Sequence, residues 1–223
     1  MGKLVRLAEE PFYGFQGEGS TQGKLSLFIR FSGCNLSCTL CDSTFASRQH
    51  EEHIFELGYL KRVVEERNSN IVFTGGEPFL YIDKLYDFIC SIENTVEIET
   101  NGTIVPDELY GFMHGGVQFN ISPKENIKQD SIIDTKPHLL RELKRYDRYC
   151  VKFLLQDDSD IDYVKDVQSR YNIPDEKVYI QPVGTHREAL YKIVEKYYNT
   201  IIGNKWNLSA RLHVLFFNDK RGV

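Results

Sequence analysis

Short apolar runs alternate with amphipathic stretches along almost the whole of this chain, and that alternation leaves few architectures open. The runs are LSLFIRF (25–31), NIVFTGG (70–76), TVEIETNG (95–102), GVQFNIS (116–122), YCVKFLL (149–155), KVYIQPV (177–183) and LHVLFF (212–217). Their β-branched and aromatic content, with Gly, Pro, Asn or Asp after most of them, predicts strands. Between them, Ile54, Leu57, Leu60, Val63 and Val64 recur at three- and four-residue steps, as do Leu190, Ile193, Val194 and Tyr197. That period predicts helices. Further helices are expected over 81–92 and 158–170, with only a stub over 103–115, opened by Pro106. Strands alternating with helices make βαβ units and a mostly parallel sheet. The expected fold is α/β, an incomplete parallel (β/α) barrel, with an open doubly wound sheet as the competing topology.

The polar motifs share one position in this scheme. Cys34, GGEP, TNGT, SPK and QPVG each follow a predicted strand directly. In a parallel barrel the C-terminal strand ends open onto one face, so motifs spread from residue 34 to residue 184 would meet there. The 223 residues form one domain, 1–223, with no repeat or linker, and a single core is adequate at this size. The net charge of −5 has no basic block, so nucleic acid is not an expected partner. The apolar runs are strand-sized and the N-terminus has no leader-like stretch. No membrane association is expected, and the cytoplasm is the default location.

Five cysteines are an odd number for a disulfide scaffold, and Cys34, Cys38 and Cys41 are clustered with Cys-x3-Cys-x2-Cys spacing. In a reducing compartment such a cluster reads as a metal site. Structural zinc asks for four ligands; the nearest fourth candidates, His50 and His53, are too close together to complete a paired site. A [4Fe–4S] cluster normally takes four thiolates, so three leave one iron with an open position, the mark of a catalytic centre. In FTGGEP (73–78), Gly75 and Gly76 permit a close backbone approach. Glu77 offers an acceptor for an ammonium group, and Pro78 sets a turn. Cys90 and Cys150 read as small core residues.

The triplet and GGEP together resemble the radical S-adenosylmethionine (radical SAM) enzymes. The rest of the chain is similar to one subfamily, the 7-carboxy-7-deazaguanine synthases of 7-deazapurine (queuosine) biosynthesis. FYGFQGEGSTQGKLSLFIRFSGCN, CDS, FTGGEP, ETNGT, ISPK, VKFLLQD, IQPVG and LSARLHVLFF follow in that family's order. The resemblance implies a part-barrel of the radical SAM type. It implies a lyase that converts 6-carboxy-5,6,7,8-tetrahydropterin to 7-carboxy-7-deazaguanine and ammonia. An adenosyl radical takes the C6 hydrogen, the ring contracts, and SAM is reused. Mg²⁺, an electron donor such as flavodoxin or ferredoxin, and a homodimer come with it.

By the same resemblance, Cys34, Cys38 and Cys41 are the cluster ligands and Ser43 a Mg²⁺ ligand, although Ser43 reads equally as a helix N-cap. Leu40, Asp42, Gly75, Gly76, Glu77, Ser122, Pro123, Lys124 and Gln181 are expected at SAM. Phe15, Gln16, Gly17, Thr74 and His213 are expected at the pterin, His213 from the last strand. Arg30, on an apolar strand, needs an anionic partner; the candidates are the substrate carboxylate and a neighbouring Asp or Glu. Asn101 reads as a ribose contact or as a turn residue before Gly102. Two alternatives keep some of these features: a radical SAM activase that makes a glycyl radical on a partner protein, and a zinc-stabilised binding module without chemistry.

Overall fold

The computed structural model describes residues 3–48, 53–67, 69–218 and 220. His50 lies outside them. The strands are β1 (Leu4–Arg6), β2 (Phe12–Phe15), β3 (Leu25–Phe31), β4 (Ile54–Glu56), β5 (Asn70–Gly75), β6 (Val96–Thr100), β7 (Gln118–Ile121), β8 (Tyr149–Leu155), β9 (Val178–Pro182) and β10 (Asn207–Leu208). The helices are α1 (Thr44–Ser47), α2 (Leu57–Glu65), α3 (Ile82–Cys90), α4 (Leu109–His114), α5 (Leu139–Glu142), α6 (Asp158–Tyr171), α7 (Arg187–Gly203) and α8 (Leu212–Phe217). One sheet carries the fold in the order β10-β9-β8-β7-β6-β5-β3-β2. It is parallel except for the β2–β3 pair. A separate antiparallel pair joins β1 to β4.

Period-2 alternation sorts this sheet into two chemically different faces. Ile29, Phe31, Ile71, Phe73, Ile98, Phe119, Val151, Phe153 and Ile180 point to the outer face, where they are buried in the hydrophobic core. The intervening residues point to the inner face and are largely polar: Arg30, Thr74, Glu97, Glu99, Asn120, Lys152 and Gln181. Pairing register sets some of these side by side: Arg30 opposite Thr74, and Glu99 opposite Asn120. A sheet buried on both faces usually reads as continuous apolar residues. This one keeps its polar residues for a concave interior.

The sheet curls without closing. Residues 16–21, just after β2, turn across its interior, while residues 209–213 return from the far edge to meet them. Leu212 N donates to Gly17 O at 3.0 Å, and Gly19 N donates to Ser209 Oγ at 3.0 Å. The two ends of the sheet are thus bridged by side chains and loop backbone rather than by a strand ladder.

Most predicted elements are present, with three corrections. The helix expected from Ile54 begins at Leu57, because Ile54 pairs with Arg6 in the small β1–β4 sheet. The segment 81–92 is entered through a short 3₁₀ turn, Pro78–Tyr81, before α3. The run LHVLFF is helix α8 and not a strand, so His213 does not come from a last strand. The sheet has already ended at β10. Arg211, at φ 53°, reverses the chain into a helix that buries Val214.

Candidate active site

Two cavities open at the C-terminal ends of the strands. The smaller, about 160 Å³, is bordered by Cys34, Cys38 and Cys41 together with Leu40, Gly75, Gly76, Ser122, Lys124 and Gln181. The larger, about 360 Å³, is bordered by Phe15, Gln16, Gly17, Arg30 and His213 among others. They share a wall made of Glu18, Asp42, Ser43, Thr74 and Glu99. Motifs spread along most of the chain therefore meet in one place, as parallel strand ends require.

All three clustered cysteines are free and half-buried. Burial pushes the Cys34 thiol up to about 11 and also raises Cys41. Donors face the sulfurs: Leu36 N lies 3.4 Å from Cys34 Sγ, and Gln129 Nε2 lies 3.2 Å from Cys38 Sγ. Among the described residues, no group of three or more His, Cys, Asp or Glu converges on one ion. Three half-buried thiols on one cavity wall, with N–H donors facing their sulfurs, fit a [4Fe–4S] cluster.

The two glycines of GGEP serve packing. Gly75 has φ +116°, and a Cβ there would meet Phe31 O at 2.2 Å; a Cβ on Gly76 would meet Gly33 O at 1.8 Å. The tip of β5 thereby presses against the tip of β3, one residue before Cys34. Gly76 N donates to Phe31 O at 3.0 Å and Glu77 N to Gly33 O at 2.9 Å, which fixes this contact. The Glu77 carboxylate does not border either cavity. It is fully buried and accepts from Phe79 N (3.1 Å), Thr100 Oγ1 (2.8 Å) and Asn101 N (2.9 Å). Burial still wins over these donors and pushes it up to about 7. Pro123 is likewise buried and borders neither cavity. Asn101 borders the smaller cavity within a turn: its oxygen accepts from Thr103 N (2.9 Å) and its amide donates to Asn35 beside Cys34 (2.9 Å).

Ser43 precedes α1 in the N-cap position, but its hydroxyl makes no cap hydrogen bond. It donates instead to Asp42 Oδ1 at 3.1 Å, on the shared wall. Lys124 Nζ donates to Ser122 Oγ at 2.8 Å, and burial lowers its pKa. Gln181 accepts from Ser209 Oγ at 3.0 Å.

Behind the larger cavity lies a buried polar network that the sequence patterns did not single out. Glu97 is wholly buried and accepts from Gln16 Nε2 at 2.5 Å and from Thr21 and Asn120. Burial first, and the neighbouring Glu99 second, push it up to about 7. Glu99 accepts from Thr74 Oγ1 (2.6 Å), Gln16 Nε2 (3.2 Å) and Lys152 Nζ (3.4 Å). Lys152 also donates to Glu18 at 2.8 Å. Burial pushes Glu18 up, but Lys152, then Arg211 and His213, outweigh it and hold Glu18 below the usual carboxylate range. Arg211 donates to Asp42 Oδ2 (2.8 Å) and Gly184 O (2.9 Å) and lies 3.4 Å from Glu18. His213 lies against Gly17, and burial lowers its pKa despite Glu18 nearby.

Arg30 points into the larger cavity from the same face as Phe28, as alternation required. Its Nε donates to Glu9 Oε1 at 2.7 Å, and its guanidinium lies 5.7 Å from the Phe45 ring centre. Glu9 is thus the acidic neighbour anticipated for it. Glu97, Glu99, Asn120 and Lys152 carried the same signal as Arg30, a polar residue alternating with apolar ones in a strand.

Comparison with known proteins agrees with this geometry. Residues 15–107 match the family model described as a 4Fe-4S single cluster domain. The chain is 31% identical to the 7-carboxy-7-deazaguanine synthase of Clostridium acetobutylicum, covering 96% of this chain and 97% of that one. It is 30% identical to the protein of the same name from Thermoplasma acidophilum, covering 97% and 100%. The crystal structure of QueE from Escherichia coli shares its fold, with a TM-score of 0.65 at 21% identity over 92% of each chain. With the cysteine triplet at the wall of one cavity, Arg30 in the other, and relatives matching from end to end, the chain belongs to the 7-carboxy-7-deazaguanine synthase family of radical SAM proteins.

Proposed function

We propose that this chain is a radical SAM lyase that converts 6-carboxy-5,6,7,8-tetrahydropterin to 7-carboxy-7-deazaguanine and ammonia, with SAM regenerated. Family membership supports the reaction and decides against the glycyl-radical activase and the zinc module. One observation carries the reading at the site: the cavity bordered by the cysteines and the cavity bordered by Arg30 share a wall. Two reactants held there would sit side by side, the arrangement that converts an encounter into an oriented, near-unimolecular step. When bound, the cluster and SAM supply a reducing electron and an adenosyl 5′ radical able to take the pterin C6 hydrogen.

The chain's own residues bind and orient. Cys34, Cys38 and Cys41 would hold the cluster. Leu40, Asp42, Gly75, Gly76, Ser122, Lys124 and Gln181 would enclose SAM, with Glu77 and Pro123 shaping the wall from behind. Arg30 would take the pterin carboxylate in a charge-assisted pair, sharing its charge with Glu9. Gln16 is pinned by Glu97 and Glu99, so Phe15, Gln16 and Gly17 would form a fixed border of the larger cavity beside the ring. Thr74 orients Glu99 on the shared wall. A neutral His213 can donate or accept at neutral pH. The uncapped hydroxyl of Ser43, beside Asp42, supports a Mg²⁺ site built from hard oxygen ligands. The same reading implies a flavodoxin- or ferredoxin-type electron donor, a homodimer and a cytoplasmic location. Among the described residues no helix is long and apolar enough to cross a membrane.

The test is anaerobic. The protein is reconstituted with iron and sulfide, reduced, and examined by EPR with and without SAM, then incubated with the carboxypterin. A [4Fe–4S]⁺ signal that changes on adding SAM, followed by product with SAM not consumed, is expected. A signal blind to SAM, or product formed equally well by Cys38→Ala, would overturn the reading.

A further inference from the structure

The cysteine loop is braced by a second segment. Residues 127–131, which follow the SPK tip after β7, run alongside it. Thr39 N and Thr39 Oγ1 both donate to Lys128 O, at 3.0 and 3.1 Å. Asp130 N donates to Ser37 O at 3.2 Å, and Cys38 and Gln129 form an isolated antiparallel bridge.

Gln129 occupies the centre of this contact. Its Oε1 accepts from Ser37 N at 2.9 Å, which decides the amide's orientation, because a main-chain N–H must face the oxygen. Nε2 therefore faces the other way. One of its hydrogens goes to Ile127 O at 3.1 Å, and the other points at Cys38 Sγ, 3.2 Å away. Cys34 and Cys41 are served differently: their sulfurs face main-chain N–H groups of their own loop, those of Leu36 and Ser43. The donor at Cys38 is a side chain from another part of the chain, held in place from both ends.

A thiolate on iron keeps part of its negative charge, and reduction adds more. A hydrogen bond at the sulfur stabilises the reduced state more than the oxidised one, and such bonds set cluster potentials. We infer that Gln129 is a potential-setting residue: its side-chain amide donates to the Cys38 thiolate and makes the cluster easier to reduce. This rests on the reading that the three cysteines carry a [4Fe–4S] cluster. Gln129 acts through Cys38 and touches neither reactant, so it is a positioning residue.

The experiment is an EPR-monitored redox titration without SAM, on unsubstituted protein, Gln129→Leu, Gln129→Met and Thr39→Val, with iron and sulfide measured on each. Both Gln129 variants are expected to hold a full cluster and to titrate at more negative potential. A tenfold fall in the reduced-to-oxidised ratio at fixed potential corresponds to about 59 mV for one electron. Thr39→Val removes a loop–loop hydrogen bond without touching sulfur and should titrate with the unsubstituted protein. A full cluster in a Gln129 variant with an unmoved or more positive midpoint overturns the inference alone. If neither variant assembles a cluster, pulsed EPR of unsubstituted protein labelled with ¹⁵N in the glutamine amides decides. A ¹⁵N coupling to the reduced cluster is expected, and its absence overturns the inference. Unsubstituted protein that binds zinc, or no cluster, overturns the cluster reading first and this inference with it.

Discussion

Arg30 and Glu97 stand on the same concave face of the sheet, and burial sets them different tasks. Arg30 reaches a cavity, with Glu9 as its ion-pair partner among the described residues. Arg30→Ala is predicted to raise KM for the carboxypterin about tenfold or more while leaving SAM affinity unchanged, since a hydrogen bond to a charged group is worth about 1.5–3 kcal/mol. Arg30→Lys should not restore it, because a single ammonium cannot make the paired contact. Equal loss of SAM affinity would make Arg30 a structural residue. Burial instead makes Glu97 hold its proton more tightly. Its folded pKa of about 7 lies above the ordinary 4.5. A raised carboxyl contributes stability that is full below about pH 4.5 and is lost as pH rises through about 7. Denaturation of Glu97→Gln across that window should therefore show a flatter decline than the parent. The two curves should separate by about 1.4 kcal/mol for each tenfold by which folding tightens the carboxyl's hold on its proton. Parallel curves would show that Glu97 titrates normally. The sequence made Arg30 legible because a lone guanidinium on an apolar strand demands a partner. Glu97, Glu99 and Lys152 break apolar strands in the same way, yet their meaning depends on mutual contact across strands, which no single segment reveals.

At the scale of elements, the most informative pair is the β3–β5 tips. The GGEP glycines look like a ligand-facing turn, and they are also the only way two backbones can pass so closely. Gly76→Ala places a methyl 1.8 Å from Gly33 O, where the clash is with backbone and nothing can rotate away. The variant is predicted to lower Tm clearly and to lose bound iron together, because the displaced Gly33 precedes Cys34. Retention of full iron at unchanged Tm would mean the loop relaxes freely. Helix α8 shows the limit of local patterning. LHVLFF is as β-branched and aromatic as the true strands, but strand formation needs a neighbouring edge, and the chain reaches this point beyond β10 with its direction reversed at Arg211. Val214 buries α8 against the body and His213 lines the cavity. Val214→Asp should detach the helix, raising KM for the pterin severalfold while the SAM-dependent EPR change persists. Loss of that EPR change as well would tie α8 to the cluster side.

At the scale of the molecule, the alternation of strands and helices made the parallel sheet legible, and the placement of polar motifs after strands made the common face legible. How the incomplete barrel is finished was not legible. Its two edges are joined by residues 16–21 and 209–213, through contacts as separated in sequence as Gly19 to Ser209. Those segments build the larger cavity and press it against the cysteine side, where the two cavities would act as one site. Deuterium at C6 of the carboxypterin tests this directly. Anaerobic turnover with unlabelled SAM, followed by mass spectrometry of the recovered SAM, should find deuterium in its adenosyl 5′ position, passed directly between the reactants where the two cavities meet beside Thr74 and Glu99. Product formed while SAM stays unlabelled would show that the hydrogen leaves by a route that does not run between the two cavities, and that they do not work as one site.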